Sequence, residues 1–346
     1  MAALQSLTET AGGPAKESRG PTSAGTGRKP WSPRRELLGV DFGSSQIKAV
    51  LLSRSQGEIA LKQAVLVPTP AGVVTAGEMT DAITVSSSLR KLCKDYGLKT
   101  RQVAVAVSGE KVYAQLESLP REFEEGLDDF IQNAMMKVIP YPIDRAAFDY
   151  ERLPESEGSG TTVLWVSSGS EQVEWVREAV TLAGKVPAVV DAQACALANS
   201  YVFNYTPPKQ ETVVLLHIGP RQMTVALVRG STLLCSRDAT LSREHPESKP
   251  GLSVELVVRE LERRWDLLLQ QAAPGEPAKL YVSGGATQSA KLHDALKDFS
   301  GLAVEELNPF RVISVAPESE SGQIAAEHGP TLAVAVGLAL RGFEDL

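Results

Sequence analysis

The residues with most chemistry to offer form one short run, Asp41-Phe-Gly-Ser-Ser-Gln-Ile-Lys48, set directly behind an apolar stretch. Glycine at 43 lets a phosphate approach the backbone. Ser44, Ser45 and the loop N–H groups can donate to its oxygens, and Lys48 supplies a counter-charge. Asp41 can hold a hydrated Mg²⁺. Taken alone, an Asp-x-Gly turn is also what an ordinary hairpin looks like. A second glycine turn at Gly219 and the pair Gly284-Gly285 after an apolar run strengthen the phosphate reading. Two facing hairpin loops and a Gly-Gly turn are what a nucleotide clamped between two lobes requires.

The elements that must position these loops repeat. From Leu37, LLGVDFGSSQIKAVLLSRSQGEIALKQAVLV reads as strand, loop, strand, turn, strand. About 175 residues later TVVLLHIGPRQMTVALVRGSTLLCSRDAT has the same form. Its strands fall at Thr212–Leu216, Met223–Val228 and Leu233–Arg237, with the loop at Gly219 and a turn at Arg229–Ser231. Between the repeats VAVAVSGEKVYAQLESLP alternates like a pair of strands, and EEGLDDFIQNAMMKVI has helical apolar spacing. IPYPIDRAAFDYERL leads into another strand, ESEGSGT makes a turn, and TTVLWVSSG is a buried strand. A helix over SEQVEWVREAVTLAGK closes at Gly184, and a short strand then feeds a helix near Asp191. The last third predicts helices over Leu252–Gln271, Ser289–Phe299 and Thr331–Leu340, with strands in AKLYVSGGAT and near Leu302–Leu307. Strands alternating with helices give an α/β architecture.

Composition limits the function. The 346 residues suffice for two lobes, and 43% hydrophobic with 22% charged residues is ordinary for a globular chain. A net charge of −7 speaks against a nucleic-acid-binding body, and 5% aromatics against a base-stacking platform. Cys93, Cys195 and Cys235 are far apart and offer neither metal spacing nor a disulfide framework; buried thiols in a reducing compartment are expected. The sequence has no apolar run long enough to predict a membrane-spanning helix. Residues 1–36, rich in Gly, Pro, Ser and Thr, are expected to be a disordered tail. Its Arg28, Lys29, Arg34 and Arg35 can touch anionic lipid or an acidic partner.

The set GVDFGSSQIKAVLL, IPYPIDRAAFDY, VVDAQACALANSY, LYVSGGAT and AVAVGLALRG resembles PilM, the actin-like component of type IV pilus machines, from about Leu37 to the C-terminus. The IPYP…DY segment resembles the inserted subdomain that PilM shares with FtsA. The resemblance implies an actin-like, ribonuclease H-like two-lobe fold. Its divisions would be a tail (1–36), a first lobe (37–100 and 186–210), an inserted subdomain of SHS2 type (101–185), a second lobe (211–325) and a connecting helix (326–346). By the same resemblance Asp41, Gly43, Ser44, Ser45 and Lys48 match the first phosphate loop, with Asp41 on the Mg²⁺ side. Gly219 matches the second loop, Gln193 the position that orients attacking water, Gly284 and Gly285 the adenosine turn, and Gly337 the second connecting helix. ATP and Mg²⁺ are allowed as cofactors without being required.

Two departures from that pattern point away from turnover. The second loop normally opens with Asp but here reads His217-Ile-Gly-Pro220. Neutral imidazole does not replace a carboxylate, and Pro220 removes an N–H; Arg221 offers positive charge, while Met223 stands where a hydroxyl residue is usual. The segment Asp238–Gly251 is also short where an adenine-side subdomain belongs. The implied role is a cytoplasmic scaffold of a type IV pilus or related type II secretion complex, with hydrolysis weak or lost. It would sit at the inner membrane by binding the N-terminal segment of a PilN-like protein. Pilus ATPases, a PilO-containing complex and further copies of itself are additional candidate partners. An extended peptide would dock between strands at Val103–Val107 and Tyr113–Ser118. The alternatives are an active ATPase, a sugar kinase, for which no cleft carboxylate base is found, and an FtsA-like filament protein. The last would need a basic amphipathic C-terminal helix that Arg341-Gly-Phe-Glu-Asp-Leu346 does not offer.

Overall fold

In chain order the strands and helices begin with β1 (Glu36–Phe42), β2 (Gln46–Ser55) and β3 (Glu58–Pro68). Gln56 and Gly57 both take positive φ between β2 and β3, as a tight two-residue hairpin demands. The small pair β4 (Val74–Thr75) and β5 (Glu78–Met79) turns the same way at Ala76-Gly77. Helix α1 (Ala82–Asp95) starts at Asp81, whose Oδ1 accepts from Thr84 N–H at 2.9 Å. Next come β6 (Gln102–Val107), β7 (Tyr113–Ser118), α2 (Leu127–Met136), β8 (Ala146–Arg152) and β9 (Thr162–Gly169). Then follow α3 (Ser170–Leu182), β10 (Val186–Ala192) and α4 (Gln193–Tyr205). The second half holds β11 (Thr212–Ile218), β12 (Gln222–Arg229), β13 (Thr232–Thr240) and α5 (Val254–Gln271). It continues with β14 (Lys279–Ser283), α6 (Ala290–Ser300) and β15 (Ala303–Glu306), and closes with α7 (Glu320–His328) and α8 (Ala333–Leu340). The computed structural model describes residues 36–119, 126–153, 161–241, 253–271, 276–287 and 289–343. Most of the tail, most of the ESEGSGT turn, the short segment beyond Leu241 and the last three residues lie outside the described residues.

Two sheets carry the repeat. The first has the order β10-β6-β1-β2-β3, and the second contains β15-β14-β11-β12-β13, so the two cores share one strand order. The registers agree residue for residue. Asp41 lies opposite Lys48 and His217 opposite Thr224, each displaced by 176 positions from its counterpart. Even the irregularity repeats: the β2–β3 register slips between Leu51 and Leu52, and the β12–β13 register between Leu227 and Val228. Strand β11, TVVLLHI, is buried throughout because it runs centrally between a parallel and an antiparallel neighbour with helices over both faces.

The expected pairing of the two strands in VAVAVSGEKVYAQLES is corrected. β6 joins the first sheet between β1 and β10, whereas β7 lies in the second sheet, which extends as β13-β7-β9-β8. Local alternation around a glycine reads as a hairpin, yet Gly109, at φ 108°, carries the chain from one sheet to the other. Residues 101–185 therefore do not form one body. β6 completes the first sheet and α3 packs on α1. β7, α2, β8 and β9 make an appended unit with its own core of Leu127, Ile131, Met135, Val163 and Trp165.

Helix α8 is apolar on every side and wholly buried, as such a helix must be. It lies against β1 and α4, close enough that a Cβ on Gly39 would come 2.1 Å from the Ala335 carbonyl oxygen. Arg341, just beyond it, forms a buried ion pair with Asp191 at 3.2 Å. Among the described residues, no helix is long and apolar enough to cross a membrane.

Candidate functional site between the two hairpins

The two glycine loops face each other across a narrow cleft. Each closes by the same bond: Gly43 N–H donates to the Gln46 carbonyl at 3.1 Å, and Gly219 N–H to the Gln222 carbonyl at 2.9 Å. Thr69 braces the first loop, its hydroxyl donating to the Gly43 carbonyl at 2.7 Å and its N–H to the Ser45 carbonyl at 2.9 Å. Between the loops lies a cavity of about 30 Å³. Asp41, Gly43, Ser44, Ser45, Lys48, Gln193 and Gly219 line it, together with His217 and Gln222.

The charged groups in the cleft are turned on each other. Lys48 Nζ donates to Asp41 Oδ2 at 2.8 Å, and both side chains are buried. A Cβ on residue 43 would stand 2.6 Å from Lys48 Nζ, so the first loop needs glycine partly to seat this pair. His217, at the position that repeats Asp41, shares a hydrogen bond of 2.9 Å with Ser283 Oγ. Burial first, and the nearby Lys48 cation second, push its pKa down to about 4, with Asp41 acting the other way. The imidazole is therefore neutral at neutral pH. Gln193 begins α4 and points into the second lobe: its Oε1 accepts from Gln222 Nε2 at 2.7 Å and from Thr224 Oγ1 at 3.1 Å. Across β12, Asp238 Oδ2 accepts from Gly109 N–H at 2.7 Å, and burial raises that carboxyl to about 7.

Three expected site residues stand apart from the cleft cavity. Gly284, at φ 95°, packs where a Cβ would lie 2.2 Å from the Ile218 carbonyl oxygen, and its N–H donates to the Pro330 carbonyl at 2.9 Å. Gly285 beside it faces open space. Gly337, inside α8, lets that helix lie on α4, since a Cβ there would be 1.7 Å from the Ala196 carbonyl oxygen. The expected docking groove is likewise corrected. β6 is hydrogen-bonded to β1 and β10, and β7 to β13 and β9, so neither offers a free edge to an added strand. Nothing in their residue types singles out Gly77, Gln222 and Thr224, although the 176-residue offset places Thr224 on Lys48 and Gln222 on Gln46.

The family model for the type IV pilus assembly protein PilM matches residues 39–244, more than half of the chain. The chain belongs to the PilM family. A solved chain described as the PilM-PilN type IV pilus biogenesis complex is 26% identical, with a TM-score of 0.73, over 90% of this chain and 99% of that one. Two more distant resemblances are a Bacteroides thetaiotaomicron protein with an actin-like ATPase fold and the ethanolamine utilization protein EutJ of Carboxydothermus hydrogenoformans. The first is 10% identical (TM-score 0.48; 88% of this chain, 96% of that) and the second 14% (TM-score 0.48; 90% and 91%). With its duplicated sheets, this PilM-family chain has the actin-like two-lobe fold.

Mg-ATP is the ligand that such a fold brings to mind, and the residues match it on the first loop but not on the second. Gly43, Ser44 and Ser45 keep the first phosphate loop, but Lys48 is neutralised by Asp41. The second carboxylate is a neutral histidine, and Pro220 has no N–H to give. Gln193 is already engaged by the second lobe. The enclosed space between the loops, about 30 Å³, suits a water or two.

Proposed function

We propose that this PilM-family chain is a cytoplasmic, actin-like scaffold of a type IV pilus assembly complex, held at the inner membrane by the cytoplasmic N-terminal segment of a PilN-like protein. The observation that carries the reading is the 26% identity and TM-score of 0.73 to a chain of a PilM-PilN complex, spanning 99% of that chain. The neutralised cleft supports a scaffold over an ATPase, because the groups that would polarise a phosphate are engaged with each other. The docking surface is assigned to the appended unit. That unit stands at the end of the second sheet's strand order, and the partly buried aromatics Phe130, Tyr141, Phe148 and Tyr150 pack against its core. Apolar side chains of a partner segment can seat beside these rings.

Deleting residues 101–185 would remove β6 from between β10 and β1 in the first sheet, so the test keeps that segment in place. Titration calorimetry of the intact chain with a PilN-like N-terminal peptide should give micromolar or tighter binding, and removal of residues 1–35 should leave it nearly unchanged. Hydrogen exchange on the same complex should protect β8 and β9. Absence of binding refutes the scaffold reading. Protection confined to α5 and α6 would move the docking surface elsewhere.

A further inference from the structure

The lobes are fastened across the cleft by side chains of the chain itself. Gln222, the first residue of β12 in the second lobe, reaches Gln193 at the start of α4, donating to its Oε1 at 2.7 Å. Thr224, two residues on, donates to the same oxygen at 3.1 Å. The other side of the Gln222 amide is covered by the first lobe. Gly77, in the β4–β5 turn at φ 84°, lies so near that a Cβ there would be 1.7 Å from Gln222 Oε1. That turn is itself anchored, for Ser108 Oγ donates to the Gly77 carbonyl at 3.1 Å. Next to it Gly109 N–H is bonded to Asp238 of β13 at 2.7 Å.

Gly77, Ser108, Gln193 and Gln222 all line the cleft cavity. The duplication shows what has changed: Thr224 fills the register position of Lys48, and Gln222 that of Gln46, so the second hairpin presents neutral hydrogen-bonding groups where the first presents an ion pair. An amide pair bonded to itself needs no counter-charge and leaves about 30 Å³ of space. We infer that Gln222, Gln193 and Thr224 form a built-in clamp that holds the two lobes closed without nucleotide, and that Mg-ATP does not control lobe closure in this chain. The inference rests on the interlobe geometry and not on the partner, so a chain that fails to bind a PilN-like peptide still closes.

The test uses the full chain with one spin label on each lobe. Cys93, Cys195 and Cys235 are buried and free, and Lys62 on β3 and Lys297 on α6 are exposed, so Lys62→Cys with Lys297→Cys gives two accessible labelling sites. Pulsed dipolar distance measurement should return one narrow distribution that millimolar Mg-ATP leaves unchanged. Adding Gln222→Ala should broaden it towards longer distances, and Thr224→Val should do so to a smaller extent. A wild-type distribution that is broad and narrows on addition of Mg-ATP overturns the inference. So does a Gln222→Ala distribution as narrow as the wild type. Should Gln222→Ala fail to fold by circular dichroism, Thr224→Val decides by the same criterion, because it removes one hydroxyl and keeps the side chain's shape.

Discussion

Replacing His217 by Asn should remove a specific part of the protein's sensitivity to acid. In the folded chain the imidazole is held near pKa 4, against an ordinary value of 6.5, because it is buried in β11 and faces Lys48. Between those values the unfolded chain binds a proton that the folded chain refuses. Stability from this group is thus complete above pH 6.5 and is lost as pH falls towards about 4. A shift of roughly 2.5 units corresponds to about 3 kcal/mol, at about 1.4 kcal/mol per unit. Asparagine keeps a polar atom near Ser283 Oγ but cannot titrate. Urea unfolding at several pH values between about 4 and 7.5 measures the effect directly. The wild type should lose about 3 kcal/mol more than His217→Asn on descending that range. Parallel stability curves would show that the imidazole is not held neutral by its surroundings, and the account of the second loop would fall with it.

Asp238 should act in the opposite direction. Its folded pKa of about 7 lies above the ordinary 3.8, so its contribution is present in acid and lost as pH rises from about 4 through 7. Asp238→Asn should flatten that decline, by at most about 4 kcal/mol, in the same urea series. Gly337→Ala should destabilise by about 1–3 kcal/mol despite alanine's better helix propensity, because its methyl meets the Ala196 carbonyl; a thermal melt of the variant checks this. Phosphate release by the purified chain should not exceed that of an Asp41→Ala control. Turnover above about 1 s⁻¹ that this mutation abolishes would restore the ATPase reading.

The duplicated hairpins were legible because their signals are local: a glycine turn, an apolar run on either side, and the same order twice. The cleft was half legible for the same reason. Asp41 and Lys48 announce themselves by charge, and they do meet, but as partners of each other. What the sequence concealed depends on tertiary choice. VAVAVSGEKVYAQLES satisfies a hairpin pattern, and only the availability of β1 and β13 as neighbours sends its halves to different sheets. Gln222 and Thr224 are ordinary strand residues until Gln193 faces them. Gly337 was read through a family pattern, whereas the run of small residues in AVAVGLAL already signals close helix packing.

The position of α8 bears on how the molecule is made. This helix, which follows all fifteen described strands in chain order, fills the space between β1, the first of them, and α4. During translation the opening strands and the helix after β10 must wait, apolar faces uncovered, until α8 has emerged. The two lobes are therefore not successive folding units, as domains laid end to end would be. The first lobe is completed only after the strands of the second have been made. The contacts that complete it span almost the full described chain, the kind of connectivity that slows folding and lengthens exposure to aggregation. A truncation shortly before Ala333 would uncover β1 and α4 and cost the first lobe while leaving the strands of the second in place.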